Sequence, residues 1–299
     1  MLVTLTTDFG LADGYVAAVK GAMLRVAPGV QFVDVSHAVE PQDVMGAAFV
    51  LAQALPHFPG GAVHLVVVDP GVGTERRAVA VEVERAGTGA GAPETYIFVG
   101  PDNGILSLLL ADPHAGGSVR GAVVLDRPEA WGRPSPTATF HGRDVFGPVA
   151  ARLAAGAALS EVGSAIGALA PLHWPLPIAD AQGIDGMVLH VDRFGNCLTN
   201  ISREATERLE AAEGLGGGRA VTSYAGSAVV RGIGRTYGSV AHGEPVALFG
   251  SGGHLEIAVN GGSAAELLAI RRGATVTLLV GEARAAASAR RAALRPTPA

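Results

Sequence analysis

The sequence predicts a two-part chain: an N-terminal open α/β sheet domain followed by a smaller C-terminal all-β domain of barrel or sandwich type. Three observations predict it. Up to about residue 170, β-rich runs alternate with helical stretches, as in strands joined by crossover helices. Residues 62–68, AVHLVVV, are continuously apolar, as a strand covered on both faces must be. Beyond APLHWPLPIADAQG, which holds three prolines, the texture changes to short β-like runs separated by Gly and Ser turns, the pattern of a small sandwich or barrel. The expected boundaries are 1–172 for the α/β domain, 173–183 for a linker and 184–283 for the β-domain. Residues 284–299, rich in Ala and Arg, are expected to form a disordered tail.

The elements follow in order. LVTLTT at 2–7 alternates as a strand and stops at Asp8-Phe9-Gly10. Asp13 or Gly14 caps a helix from Tyr15 to Val26, ended by Pro28-Gly29. VQFVDV at 30–35 is the next strand, and Asp43 to Leu55 a helix with few charges. After the 62–68 strand come strands at 78–83 and 96–100, separated by the Gly- and Ala-rich loop 86–93, and then an alanine-rich helix at 143–158. The β-domain is expected to use 186–191, 220–223, 227–231, 246–249, 255–259 and 275–280. No internal repeat is found.

Composition excludes several classes. The chain has 299 residues, 48% hydrophobic and 16% charged, which is enough for a buried core and unlike a disordered chain. A net charge of -5 gives no basis for a nucleic-acid partner. One cysteine, Cys197, allows neither an intrachain disulfide nor a cysteine metal site. MLVTLTTDFG lacks a basic leader region, and no uncharged apolar run approaches about 18 residues. The expectation is a cytoplasmic protein with no membrane partner. The nine histidines show no HxH or HExxH spacing, so no metal is expected. GxxxxGK[ST] and GxSxG are both missing.

Ligands of open α/β sheets lie at the carboxyl ends of strands, and Asp8, Asp69 and Asp102 each follow an apolar strand. The stretch 66–77, VVVDPGVGTERR, is the richest. Asp-Pro-Gly is ordinary turn chemistry, yet a carboxylate at the mouth of a buried strand is also a tunable group. Gly71 and Gly73 permit close backbone approach. Alternation would send one of Arg76 and Arg77 toward the site and the other away. His141 in TFHGRDVFGP is a candidate proton carrier, although a structural hydrogen-bonded histidine would look the same. Arg143 and Asp144 beside it suit a local ion pair. Carboxylate, histidine and arginine together can hold and activate a water. In the β-domain, Asp192-Arg193-Phe194-Gly195-Asn196 reads as a polar turn, and Ser251-Gly252-Gly253 with the strand ending at Asn260 reads as a binding edge.

Six motifs occur in order: TTDFG at 6–10, VDPGVGTERR at 68–77, PDNG at 101–104, FHGRDVFGP at 140–148, DRFGN at 192–196 and SGGHLEIAVNGGSA at 251–264. Together they resemble the S-adenosyl-L-methionine hydroxide adenosyltransferase family, relatives of the fluorinases and chlorinases, over roughly residues 1 to 282. The resemblance implies the two-domain fold and a homotrimer with sites between the N-domain of one subunit and the C-domain of the next. It implies hydrolysis of S-adenosyl-L-methionine to adenosine and L-methionine, with no cofactor beyond the substrate. It places the catalytic Asp, Arg and His on Asp69, Arg76 and His141, and the ribose-binding acid on Asp8. Asp192 and Ser251 would hold the methionine part, Asn196 the adenine, and Asn260 belongs to the same binding edge. The short loop at 84–95 favours water over halide. The alternatives are a halogenase, a non-catalytic S-adenosyl-L-methionine or adenosine sensor, and a metal-dependent hydrolase.

Overall fold

Runs of valine, leucine and threonine build the first sheet. The computed structural model describes residues 1–86, 92–111, 117–181, 183–212, 214–215 and 221–281. The expected tail and residues 87–91 of the loop 86–93 lie outside the described residues. The chain divides into two units, Met1–Trp174 and Pro175–Ala299.

Unit 1 contains β1 (Leu2–Thr7), α1 (Tyr15–Val26), β2 (Gln31–Ser36), α2 (Val44–Ala54), β3 (Val63–Val67), β4 (Ala78–Arg85), β5 (Glu94–Pro101), α3 (Ile105–Ala111), β6 (Ser118–Val124), α4 (Gly147–Ala154), α5 (Leu159–Val162) and β7 (Ser164–Ala165). Its seven-stranded sheet has the order β2-β1-β3-β5-β4-β6-β7. The pairs β1–β2, β1–β3 and β3–β5 are parallel, whereas β4 runs antiparallel to both β5 and β6. The sheet is therefore mixed. β4 and β5 follow one another in the chain as directly paired strands, and that pair runs antiparallel.

The central strand explains its own apolar run. Val63, Leu65 and Val67 enter one core with Val19 and Met23 of α1 and Val149 of α4. Val66, with Val68 just past the strand, enters the opposite core with Leu51 of α2 and Leu108 of α3. Both faces are dry, and the strand's polar side chain, His64, is fully buried with its Nδ1 2.7 Å from the Thr4 hydroxyl.

One expected helix is reshaped. Instead of a single helix over 143–158, a π-turn spans Gly142–Phe146 and α4 follows at Gly147–Ala154. Pro148 has no N–H to return to Asp144, and the Asp144 carbonyl accepts instead from Gly132 N at 2.9 Å. Gly156, at φ +102°, turns the chain just past the end of α4.

Unit 2 contains β8 (Ile178–Asp180), β9 (Gly183–Val191), β10 (Cys197–Ser202), α6 (Arg203–Ala212), β11 (Val221–Ala225), β12 (Ala228–Arg231), β13 (Pro245–Phe249), β14 (His254–Val259), α7 (Ala264–Leu267) and β15 (Thr275–Val280). The strands follow the order β12-β11-β15-β9-β10-β14-β13, with β8 added beside β9. The end strands β12 and β13 approach one another, so the sheet is nearly barrel-like. Ile184, Val188, Cys197, Ile201, Ile257 and Leu278 fill the interior. One expectation is corrected here. The stretch 173–183 is not a plain linker, because β8 lies within it and pairs with β9. The expected β-domain also carries, beside its strands, the ten-residue helix α6.

Candidate active site

The turn after β3 begins the site. Val72 N bonds to Asp69 O at 3.3 Å and Thr74 N to Gly71 O at 3.1 Å, so Asp69 sits at the start of a tight reversal. Gly73 holds φ +76°, and a Cβ there would lie 2.4 Å from the Ala138 carbonyl oxygen. Only glycine lets this turn press against the segment that leads into His141.

Three side chains then meet. Arg76 Nε donates to Asp69 Oδ1 at 2.8 Å, and Arg76 Nη2 donates to Asp69 Oδ2 in a bidentate pair. The same Nη2 reaches His141 Nδ1 at 2.9 Å. The side chains of Arg76 and Asp69 are 10% and 6% exposed, and the guanidinium lies 5.1 Å from the Phe146 ring centre. A guanidinium only donates. His141 Nδ1 therefore accepts, and the neutral ring carries its proton on Nε2. Burial, seconded by the Arg76 charge, holds the His141 pKa below the usual histidine value, while Asp69 and Asp144 pull the other way. None of these bonds uses Arg76 Nη1.

Arg77 points elsewhere. Its Nε donates to Asp102 Oδ2 at 2.8 Å and its Nη2 to the Ala168 carbonyl at 2.8 Å. Asp102 Oδ1 accepts from Ala170 N at 2.7 Å. The acid at the end of β5 is thus a strut for the 168–170 segment. Asn103 beside it, which the sequence did not single out, donates to the Val68 carbonyl at 2.8 Å and holds the strand end before Asp69.

Asp144 is tied by Arg143 Nε at 2.7 Å, Thr137 N at 2.8 Å and the Thr137 hydroxyl at 2.7 Å. Those donors outweigh its burial and bring its pKa down to about 2. It serves as the expected local ion pair.

Asp8 follows β1 and accepts from Gln42 N at 2.8 Å. Phe9, Tyr15 and Phe140 form edge-to-face and tilted ring pairs at 5.3 to 6.1 Å between centres, beside Asp8 and His141 in sequence. Sequence reasoning missed the chain behind Asp8. Thr7 Oγ1 lies 2.8 Å from His37 Nδ1, His37 Nε2 lies 3.0 Å from Asp34, and Asp34 accepts from Lys20 at 2.7 Å. Gly10 N closes the loop onto the His37 carbonyl at 2.8 Å. Thr7 and His37 are 30 residues apart and Lys20 and Asp34 are 14 apart, so no local motif could reveal the chain.

Unit 2 holds a cavity of about 570 Å³ lined by Asp192, Phe194, Asn196, Tyr237, Val259, Gly261 and Gly262. Asp192 Oδ1 accepts from Phe194 N and Asn196 N, each at 2.9 Å, and its Oδ2 accepts from the Asn196 amide at 2.9 Å. The acid thus shapes its own turn, and the Phe194 ring is left 76% exposed. Cys197 is buried beneath this turn, and burial, seconded by Asp192, pushes its thiol up to about 11. Asn260 donates to the Val240 carbonyl at 2.8 Å and pins the 240–244 segment to the end of β14. Ser251 lies in the exposed turn between β13 and β14. Among the described residues, no group of three or more His, Cys, Asp or Glu side chains is arranged to hold a metal. No described helix is long and apolar enough to cross a membrane.

The sequence model of the SAM hydroxide adenosyltransferase N-terminal domain matches residues 3–163, and that of the C-terminal domain matches residues 186–277. The chain belongs to the SAM hydroxide adenosyltransferase family. It is 43% identical over 281 residues to the (R)-S-adenosyl-L-methionine hydrolase of Salinispora tropica, covering 93% of this chain and 98% of that one. Its identity to the hydrolase of the same name from Thermus thermophilus is 42% over 290 residues, with 93% and 99% covered. A fluorinase from an Actinoplanes species is 32% identical over 224 residues, with 69% and 74% covered. Among solved structures, an uncharacterized conserved protein from Thermotoga maritima matches with a TM-score of 0.82 at 33% identity, covering 93% of this chain and all of that one. In this hydroxide adenosyltransferase chain, Asp69, Arg76, His141 and Asp8 fall in the N-terminal family domain. Asp192, Asn196, Ser251 and Asn260 fall in the C-terminal one.

Proposed function

We propose that the chain is an S-adenosyl-L-methionine hydrolase, forming adenosine and L-methionine by in-line attack of an activated water on the ribose C5′ carbon. The observation that carries this reading is the Asp69–Arg76–His141 group, in which one arginine is held by an acid and a neutral imidazole. The 42–43% identity to proteins named as this hydrolase supports it.

The chemistry follows from those contacts. The sulfonium is the leaving group, and the C–S electron pair departs with methionine as the new C–O bond forms. Nucleophile and substrate charges cancel in the transition state, so a site that replaces bulk water with fixed dipoles favours it. Free water has a pKa of about 15.7 and cannot supply enough hydroxide. Arg76 Nη1, outside the bonds to Asp69 and His141, stabilises negative charge growing on the water oxygen. His141 has Nδ1 filled by Arg76 and its proton on Nε2, so it orients the water as a donor. Asp69, with a lone pair left on each oxygen, receives the proton as attack proceeds. Water and the sulfonium cation yield adenosine, methionine and one released proton.

Asp8 is read as the ribose-binding acid, Asn196 as an adenine contact, and Asp192, Ser251 and Asn260 as the methionine-side edge. The reading also carries a cytoplasmic homotrimer, the absence of any cofactor, and no nucleic-acid or membrane partner. Incubation of the purified protein with S-adenosyl-L-methionine, with and without chloride, tests it by chromatography and mass spectrometry. Equal amounts of adenosine and methionine independent of chloride are expected. A 5′-chlorinated nucleoside would assign the chain to the halogenases, and the absence of turnover would leave it a binding protein. Light scattering on the same sample reads the trimer.

A further inference from the structure

The cavity of unit 2 adjoins a carboxylate that the reaction above does not use. Glu256 projects from β14 and is only 7% exposed. Buried charges require donors, and Glu256 Oε2 accepts from the Tyr237 hydroxyl at 2.9 Å. Its other oxygen occupies space that any side chain at residue 250 would fill, since a Cβ on Gly250 would lie 1.7 Å from Oε1. The acid therefore sits in a slot cut for it. Burial raises its pKa, Asp192 adds to that, and the Tyr237 bond opposes both. The Tyr237 phenol is pushed up to about 12 by burial and by Glu256, so it keeps its proton and donates.

Tyr237 opens a single 3₁₀ turn, Tyr237–Ser239, and is 42% exposed while lining the cavity with Phe194 and Asn196. An aromatic side chain on such a turn would otherwise exchange rotamers, and each ligand would have to order it on binding. The tether removes that cost in advance.

We propose that Glu256 is a positioning residue for ligand recognition, accepting the Tyr237 hydroxyl so that the ring stands as a preformed wall of the cavity for a flat heteroaromatic base. This rests on the reading of the chain as an enzyme acting on an adenosyl compound. Aromatic faces at such walls add affinity beyond their buried area, and a phenol without its acceptor loses the geometry that makes them useful.

The test compares wild type with Tyr237→Phe, Glu256→Gln and Glu256→Leu, using adenosine affinity by calorimetry and steady-state kinetics with S-adenosyl-L-methionine. Tyr237→Phe and Glu256→Leu are expected to weaken adenosine binding and raise KM by about 3- to 10-fold, the scale of one hydrogen bond, with kcat within about twofold. Glu256→Gln keeps an acceptor oxygen and should restore near-wild-type KM. Wild-type affinity in Tyr237→Phe overturns the proposal, and so does a Glu256→Gln variant as impaired as a folded Glu256→Leu. If Glu256→Leu does not fold, Tyr237→Phe and Glu256→Gln still decide the matter. A wild-type protein that neither binds adenosine nor turns over S-adenosyl-L-methionine would overturn the functional reading itself, and this proposal with it.

Discussion

Two adjacent arginines separate chemistry from architecture at the level of single residues. Arg76 meets Asp69 and His141, while Arg77 meets Asp102 and the Ala168 carbonyl. Arg76→Ala should lower kcat by about 10²- to 10³-fold, the loss typical of a charge-stabilising donor, and should also cost stability, because Asp69, whose side chain is 6% exposed, loses its bidentate partner. Arg77→Ala should leave kcat within a few-fold but cost about 1–3 kcal/mol of stability, because Asp102, whose side chain is 2% exposed, keeps only the Ala170 N–H and loses its charged partner. Kinetics and thermal melts on both variants check the pair, and the reverse pattern would exchange the two assignments. The pH response belongs here too. The His141 pKa lies below 6.5, lowered by burial and by Arg76, so the ring stays neutral as pH falls through the ordinary histidine range. The acid limb of kcat/KM should fall below pH 6.5, and a limb at or above that value would contradict the neutral ring. The linkage has the same sign. The unfolded chain binds the proton first, so any stability owed to neutral His141 is present above pH 6.5 and declines as pH drops toward the folded value.

Elements were legible where one face was apolar. β1, α1, β3, β14 and β15 stand close to their expected spans because burial and periodicity agree. β10, CLTNIS, is illegible in the sequence because Thr199 and Asn200 break the apolar run. Thr199 is fully buried, and the Asn200 side chain accepts from Met187 N at 2.8 Å. α6, REATERLEAA, has so few apolar residues that it did not read as a buried element. The site was half legible. Asp69 and His141 carry the right chemistry in the sequence, but the choice between Arg76 and Arg77 depends on the length of the turn between Asp69 and β4. That turn depends on Gly73. Gly73→Ala combines a left-handed backbone with a 2.4 Å clash against Ala138 O and should cost about 1–3 kcal/mol. It should also impair turnover, because the turn would withdraw from the His141 segment. Denaturant titration with parallel activity assays measures both effects, and a variant of unchanged stability and rate would show the contact to be dispensable.

The whole molecule has separate interiors. Two clusters sandwich the sheet of unit 1 and a third fills unit 2, each drawing its residues from one unit only. A chain of residues 175–281 should therefore fold by itself, with a cooperative melt and β-type circular dichroism. A featureless melt would mean that the third cluster is insufficient. Its roughly hundred residues are an ordinary domain size. Cys197 has a further use at this scale. It is the chain's single thiol, it is buried, and its pKa near 11 leaves almost no thiolate at neutral pH. The native protein should be inert toward maleimide dyes. A cysteine placed at an exposed cavity residue such as Phe194 would then be the only reactive handle, giving a singly labelled reporter of ligand arrival without first deleting any native residue.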